Sequence, residues 1–299
     1  MEHLFTQHRR LLMSLAYQLT GSFADAEDVV QDVFLKAYDS KPQGLEQAPQ
    51  AYLCKMVTNR CRDLGKSARK RRESYFGEWL PEPLPTSQDE VFEIVSRDEM
   101  LSYGTMVLLE RLSPAERAVF VLREALGFEY ADIAGILEKN EANCRKLYSR
   151  AKQKIGQELP LQEPSERAPS PEAEQSEWIR DFLALLRQDK VDEVLSLLAK
   201  DVVLISDGGG KASAAVRPIV GPDFVSRFLL GLMRQSRASE EGFQFKPIEI
   251  NGGPGMLVLS EGRVDNVAMI QTAEGVIRRI FIVRNPDKLS LFAKLNYSS

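Results

Sequence analysis

Two runs of charged residues, close together in this 299-residue chain and opposite in sign, carry its most specific chemistry. The first lies within Ser22–Tyr38 and presents Asp25, Glu27, Asp28, Gln31 and Asp32. The second, Gln50–Arg72, carries Asn59, Arg60, Arg62, Lys66, Arg69, Lys70, Arg71 and Arg72, offset only by Asp63. Carboxylates in such a row suit a basic partner. One-sided positive charge on a helix gains from neutralising phosphates, so the second run points to a polyanion. A third group, Asn143, Arg145, Lys146, Ser149, Arg150 and Lys152, falls on one face of the segment Glu141–Ile155. There the early Asn and Arg suit base edges, and the later cations suit phosphates.

Helices must position all three. Leu4, Leu11, Leu12, Leu15 and Leu19 mark a first amphipathic helix that stops near Gly21. Ser22 with Asp25 is a capping start for the next, whose apolar face is Phe23, Ala26, Val29, Val30, Val33, Phe34 and Ala37. The loop 39–49 precedes the basic helix. Further on, Ser113-Pro-Ala-Glu116 begins a helix that Gly127 ends. A short helix (Tyr130–Leu137), a tight turn (Glu138–Asn140) and the basic segment with its apolar residues Cys144, Leu147, Ala151 and Ile155 then form a helix-turn-helix pattern. After residue 175 two amphipathic helices are followed by strand-like runs at Val202–Ser206, Val216–Val220, Phe243–Ile250, Met256–Leu259, Val264–Thr272 and Val276–Val283. Asp207-Gly-Gly-Gly210 reads as a hairpin turn, Gly252-Gly-Pro-Gly255 as a second turn, and Asn285-Pro-Asp as the end of the last strand. Helices first and a curved antiparallel sheet after them predict an α+β domain. Two Pro-rich stretches separate the parts, and the aromatic residues of the first, Trp79 among them, want a surface to dock on.

Bulk properties exclude several function classes. A net charge of −4 averages over strongly asymmetric segments, so it is weak evidence against DNA. Cys54, Cys61 and Cys144 have no metal-ligand spacing and fit a reducing compartment; with no signal-peptide pattern and no spanning apolar run, a cytoplasmic protein is expected. His3 and His8 lie far from the C-terminal part, and Asp201, Asp207 and Asp265 form no acid–base pair, so no catalytic residue is assigned. Gly208-Gly-Gly-Lys211 lacks P-loop spacing. Neither metal nor cofactor is expected.

The segment Asp25-Ala-Glu-Asp-Val-Val-Gln-Asp-Val-Phe-Leu-Lys-Ala-Tyr38 resembles region 2.2 of bacterial extracytoplasmic-function sigma factors. Ala51–Asp63 is similar to the part that opens the −10 element, and Leu112–Lys152 to region 4, which reads the −35 element. The pattern after residue 175 resembles the SnoaL-like, nuclear-transport-factor-2-like cone. Trp79-Leu80-Pro81-Glu-Pro, Asp207-Gly208-Gly209-Gly210-Lys211 and Asn285-Pro286-Asp287-Lys288-Leu289 resemble signatures of sigma factors that carry this fused domain. The resemblance implies a multidomain chain: region 2 at 1–72, a linker at 73–97, region 4 at 98–157, a second linker at 158–175 and a SnoaL-like domain at 176–299. The two sigma domains are all-α and the last domain is α+β. It further implies that the acidic helix meets the β′ clamp helices of RNA polymerase core, with Asn59 helping to hold a flipped −10 base. The fused domain would take the place of a separate anti-sigma protein. Its pocket leaves a small-molecule ligand open, and a ligand-sensing one-component helix-turn-helix regulator is the alternative.

Overall fold

A computed structural model describes residues 2–40, 47–85, 100–156, 172–238 and 242–294, with the side chains of residues 2, 4, 66–73, 172–177 and 238 left outside the description. Contacts divide the chain into two compact units: Met1–Ser74 with Gln88–Glu163, and Tyr75–Ser87 with Pro164–Ser299. The start of the first linker therefore belongs with the C-terminal sheet.

The first unit is helical. Its amino-terminal half holds α1 (Glu2–Thr20), α2 (Phe23–Ser40) and α3 (Pro49–Glu73). Gly21 takes a positive φ of 71° and turns the chain out of α1. The Ser22 hydroxyl then accepts from the Asp25 amide at 3.3 Å to begin α2. The apolar stripe of α2, from Phe23 to Ala37, is buried with Leu12, Leu15 and Tyr17 of α1 and Leu53 and Val57 of α3. Each Val, Leu or Phe among them contributes about 1.5–3 kcal/mol by leaving water. The later half holds α4 (Tyr103–Leu109), α5 (Pro114–Phe120), α6 (Tyr130–Leu137) and α7 (Glu141–Gly156). Ser113 and Glu116 form a complete capping box around Pro114. α5 runs on into one π-helical turn, Val121–Ala125, before Gly127 (φ 68°) redirects it. α6 closes on Glu138 in the left-handed region, and Asn140 receives the Asn143 amide at 2.8 Å to start α7.

Polar contacts tie the halves of this unit together. The Leu101 amide donates to Gln18 Oε1 at 3.0 Å. Arg117 reaches from α5 to the Leu19 carbonyl (2.9 Å), the Leu109 carbonyl (3.0 Å) and Glu110 (2.8 Å). Burial pulls its pKa down to about 10, which leaves it cationic at neutral pH.

The second unit begins with a strap, residues 75–85, and continues through α8 (Glu172–Arg187), α9 (Val191–Ser196), β1 (Leu198–Asp207), β2 (Ile219–Val220), α10 (Pro222–Ala238) and β3 to β6. These last strands are Phe243–Ile250, Gly253–Ser260, Arg263–Ala273 and Val276–Val283, followed by the short helix α11 (Ser290–Ala293). The sheet order is β2-β1-β6-β5-β4-β3. It is mixed rather than antiparallel throughout, because β1 and β6 run parallel. Pairing across 70-odd residues of intervening chain has no local sequence signal. The expected strand at Val216–Val220 shrinks to two residues, and the expected turn 252–255 gives most of its length to β4. The reversal there is made by Asn251 and Gly252, both at positive φ.

Cross-strand partners share a face, so register assigns the two sides. Leu204, Ile270, Ile280, Ala268 and Ile282 join Phe182, Leu186, Val225 and Leu230 in one core beneath the helices. On the opposite face, Asp207, Val283, Val267 and Leu257 form a row across four strands. The strap meets the sheet at Asp207, and its Leu80 and Leu84 are fully buried. No helix among the described residues is long and apolar enough to cross a membrane.

Candidate functional site

The sequence signatures 79–81, 207–211 and 285–289 meet around one carboxylate. Asp207 ends β1 and is 0 % exposed. Its side chain accepts from the Tyr75 hydroxyl (2.6 Å), the Leu80 amide (2.9 Å) and Lys288 Nζ (2.6 Å). Lys288 also donates to the Leu80 carbonyl at 2.5 Å, with its ammonium 4.2 Å from the Trp79 ring centroid and 5.0 Å from that of Tyr75. Asn285 donates to the Tyr75 oxygen at 2.7 Å, while the Asp207 carbonyl receives the amides of Arg284 and Asn285. Burial, and then the bond to Asp207, push the Tyr75 hydroxyl pKa up, so it stays a donor.

The glycines of the motif serve this closure. A Cβ on Gly209, at φ 60°, would stand 2.4 Å from Asn285 Nδ2 and 2.9 Å from the Tyr75 oxygen. One on Gly208 would meet the Ala212 carbonyl oxygen at 2.1 Å. Rather than turning a hairpin, the loop leaves room for two side chains from distant segments. Lys211 lies outside this cluster and pairs with Asp287 at 2.6 Å in an exposed position. Pro286–Lys288 is a 3-10 turn capped by Asn285, whose Oδ1 accepts the Asp287 amide. This turn aims Lys288 inward, and Leu289 is buried behind it. A second tie fixes the far end of the strap: the Leu84 amide donates to Asn251 Oδ1, the Leu84 carbonyl accepts the Asn251 amide, and Pro85 bridges to Ile250.

The first unit presents a different surface. On α7, Cys144, Ala151 and Ile155 are buried, with Leu147 half-buried. Asn143, Arg145, Lys146, Ser149, Arg150 and Lys152 are all exposed. Tyr148 is half-buried and hydrogen-bonds Glu124 through its hydroxyl; burial and that bond raise its pKa. The helix-turn-helix thus presents cations, an amide and a hydroxyl on one outward face.

Both helical halves match known families: Sigma-70 region 2 over residues 4–72 and Sigma-70 region 4 over residues 105–155. The chain is 34% identical to the ECF RNA polymerase sigma factor SigJ of Mycobacterium tuberculosis, over 96% of this chain and 92% of that one. The chain belongs to the ECF sigma factor family. A probable ECF sigma factor, SigI, of the same organism is 27% identical over 94% of this chain and 92% of its own length. The crystal structure of SigJ superposes with a TM-score of 0.73 at 30% identity, covering 97% of this chain and 98% of that one. The architecture is accordingly that of two helical sigma regions followed by a SnoaL-like domain, and the function class is transcription initiation, which involves RNA polymerase core and promoter DNA.

Within region 2, Glu27, Asp28 and Gln31 are exposed, whereas Asp25 and Asp32 are half-buried. Asp32 accepts two bonds from Arg60 of α3, at 2.8 and 3.1 Å, so these two residues hold the acidic and basic helices to each other. Asn59 is half-buried, and Arg62 is exposed. The side chains of Lys66, Arg69, Arg71 and Arg72 lie outside the described residues, as does 41–46 of the preceding loop, although the α3 backbone runs on to Glu73. Lys55 of α3 pairs with Glu138, the turn of the region 4 helix-turn-helix, at 2.8 Å.

Several participants carry no motif of their own. Tyr75 and Asn251 anchor the strap, and the only local hint is an aromatic in a polar linker and an Asn beside Gly. Leu35 and Tyr38, by contrast, lie inside the Asp25–Tyr38 motif without having been singled out; they are 57 and 60 % exposed on α2, on the side of Asp28 and Gln31. Large apolar side chains on the polar side of an amphipathic helix were the available signal.

Proposed function

We propose that this chain loads RNA polymerase core onto promoters recognised at both −10 and −35 elements, and that its fused domain controls when it does so. The observation that carries the reading is the outward face of α7, where Asn143, Arg145, Lys146, Ser149, Arg150 and Lys152 stand exposed over a buried stripe. Asn143 and Arg145 read base edges, and the later cations contact phosphates. On region 2, Glu27, Asp28 and Gln31 with Leu35 and Tyr38 meet the basic β′ clamp helices. Asn59 and Arg62, with Lys66, Arg69, Arg71 and Arg72, serve the −10 DNA. The protein works in the cytoplasm as a binding factor and not as an enzyme.

The packing of α3 on the helix-turn-helix supports a closed resting form. Elements centred near −10 and −35 lie about two and a half helical turns apart, roughly 85 Å along B-DNA. Lys55 and Glu138, one from each recognition region, are 2.8 Å apart. Reading both elements requires these halves to separate. Only Ser74 lies between the end of α3 and Tyr75, so capture of the strap at Asp207 bears on region 2 through the backbone. The fused domain thereby biases a two-state equilibrium in place of a separate anti-sigma protein.

Transcription in vitro with core polymerase tests the reading. The full chain should direct initiation from a discrete promoter set, and truncation after Val283 should change that output. If core plus full-length chain gives no promoter-dependent transcript while the chain binds DNA alone, the ligand-sensing regulator replaces this reading.

A further inference from the structure

Among the exposed cations of α7, Arg145 is held in a way its neighbours are not. Its guanidinium carbon lies 4.3 Å from the ring centroid of Tyr130, the first residue of α6. Its Nη2 pairs with Glu141, one turn earlier on α7, at 3.3 Å. Among the described residues no other cation of this helix has both a ring and a carboxylate. Lys154 is paired with Glu116, and Lys152 lies 5.9 Å from the Tyr148 ring. Yet the Arg145 side chain is still 60% exposed. The contact holds it without hiding it.

The ring is itself braced. Tyr130 meets Tyr148 edge to face at 6.0 Å, and Tyr148 stacks on Phe120 at 6.1 Å in the buried part of the unit. Arg123 approaches the same ring at 5.1 Å and is tied to Glu129 at 2.9 Å and to the Phe128 carbonyl at 2.9 Å. A continuous chain of packed groups therefore runs from the region 4 core to one exposed guanidinium. A free arginine surrenders much rotamer freedom when it docks on a base. One already stacked on a fixed ring has lost part of it beforehand, and its planar fork is presented in a defined orientation.

We propose that Tyr130 is a positioning residue for promoter reading: it pre-orients Arg145 toward a base edge in the −35 element and so sets specificity at one base position without touching DNA. The proposal rests on the assignment of α7 to the −35 element. It separates α7 into two groups, since Lys146, Arg150 and Lys152 supply affinity that any sequence can use.

The test selects duplexes with a randomised −35 segment on core polymerase carrying the full-length chain, followed by sequencing, for wild type, Arg145→Ala, Tyr130→Leu and Tyr130→Phe. Base preference is a ratio among bound sequences, so loss of some folded protein does not distort it. Arg145→Ala should flatten the preference at one position by about tenfold or more, as loss of a base contact does. Tyr130→Leu should flatten it at the same position, with the slope of affinity against salt unchanged. Tyr130→Phe keeps the ring and should keep the preference. If Tyr130→Leu retains the wild-type preference, or weakens all sequences evenly, the positioning role is wrong while the −35 assignment stands. If Arg145→Ala alters no position, the assignment of Arg145 to base reading fails first, and the proposal with it.

Discussion

The cluster that clasps the strap at Asp207 and the exposed face of α7 use the same kinds of side chain under opposite rules. In the clasp, Asp207 and Lys288 are 0 and 11% exposed and every polar atom named there has a partner. On α7, Arg145 and Glu141 are 60 and 50% exposed, and their ion pair is loose. A buried charge pair is costly to assemble and costlier to break singly, so it specifies one arrangement of the chain. Exposed charge contributes little to folding and remains available to a partner. In the clasp the paired charges are hidden, whereas on α7 the charges proposed to meet DNA stand in solvent.

Breaking the clasp should produce the largest change. Lys288→Met leaves Asp207 buried without its counter-ion, and Asp207→Ala leaves Lys288 likewise. Each should destabilise the second unit by about 3–5 kcal/mol, read as a shift in urea midpoint of the full chain. Protease sensitivity at residues 75–85 should rise with it. Unchanged stability and protection in both variants would mean that the clasp does not hold the strap. Replacing both partners together with apolar residues should recover much of the loss, because no orphan charge remains.

Next in size is Gly209→Ala. The left-handed backbone there and the approach of Asn285 and Tyr75 both resist a side chain, and a destabilisation of about 1–3 kcal/mol is expected. Gly275→Ala, at φ 78° but with open space around it, should pay only the backbone part. Equal effects at the two sites, in the same denaturation series, would show that close approach is not what Gly209 supplies.

The two regions also differ in how much the sequence discloses. The helix-turn-helix is legible because everything that builds it is local. A 3.6-residue stripe, a capping box and a left-handed turn lie within about forty residues, and the comparisons with known families agree over the same span. The clasp is disclosed only as pieces. Trp79-Leu80-Pro81, Asp207–Lys211 and Asn285–Leu289 each stand out as motifs, but Asp207 meets Tyr75 across 132 positions and Lys288 across 81. Composition cannot say that three turn-like segments share one carboxylate. A run of glycines signals a turn, and Gly209 does use its freedom at positive φ, but the demand for empty space beside it has no sequence signal. The pairing of Arg60 with Asp32 is hidden from the sequence for the same reason. Each looks like a surface group serving a different partner, and their pairing follows from the crossing of α2 and α3.

Glu116 lies between the extremes, with a buried carboxylate and a half-exposed partner, Lys154, at 2.8 Å. Burial works to raise its pKa, but the bonds from Lys154 and Ser113 outweigh it and hold the carboxyl below its usual 4.5. A depressed carboxylate adds stability that is complete above the unfolded-state pKa and is lost as pH falls through the folded one. Glu116→Gln can still reach back to the helix cap, so it isolates the ionic part. Wild type should exceed this variant by up to about 1 kcal/mol at pH 7, and the gap should close below pH 4.5. A gap that persists at pH 3, in denaturation measured across the range, would assign the effect to shape and not to charge.

The smallest stability effect should come from the largest functional lesion. Arg145→Ala with Lys146→Ala removes two charges whose side chains stand in solvent, so unfolding should move by no more than about 0.5 kcal/mol. Binding should behave in the opposite way. Polymerase carrying the double variant should lose −35-dependent initiation, and the slope of log affinity against log salt should fall by one to about two as phosphate neutralisation is lost. Lys288→Met in the clasp should show the mirror image, a large loss of stability with the salt slope of DNA binding kept. A double α7 variant that unfolds the protein, or a clasp variant that flattens the salt slope, would erase the distinction between charges that hold and charges that reach.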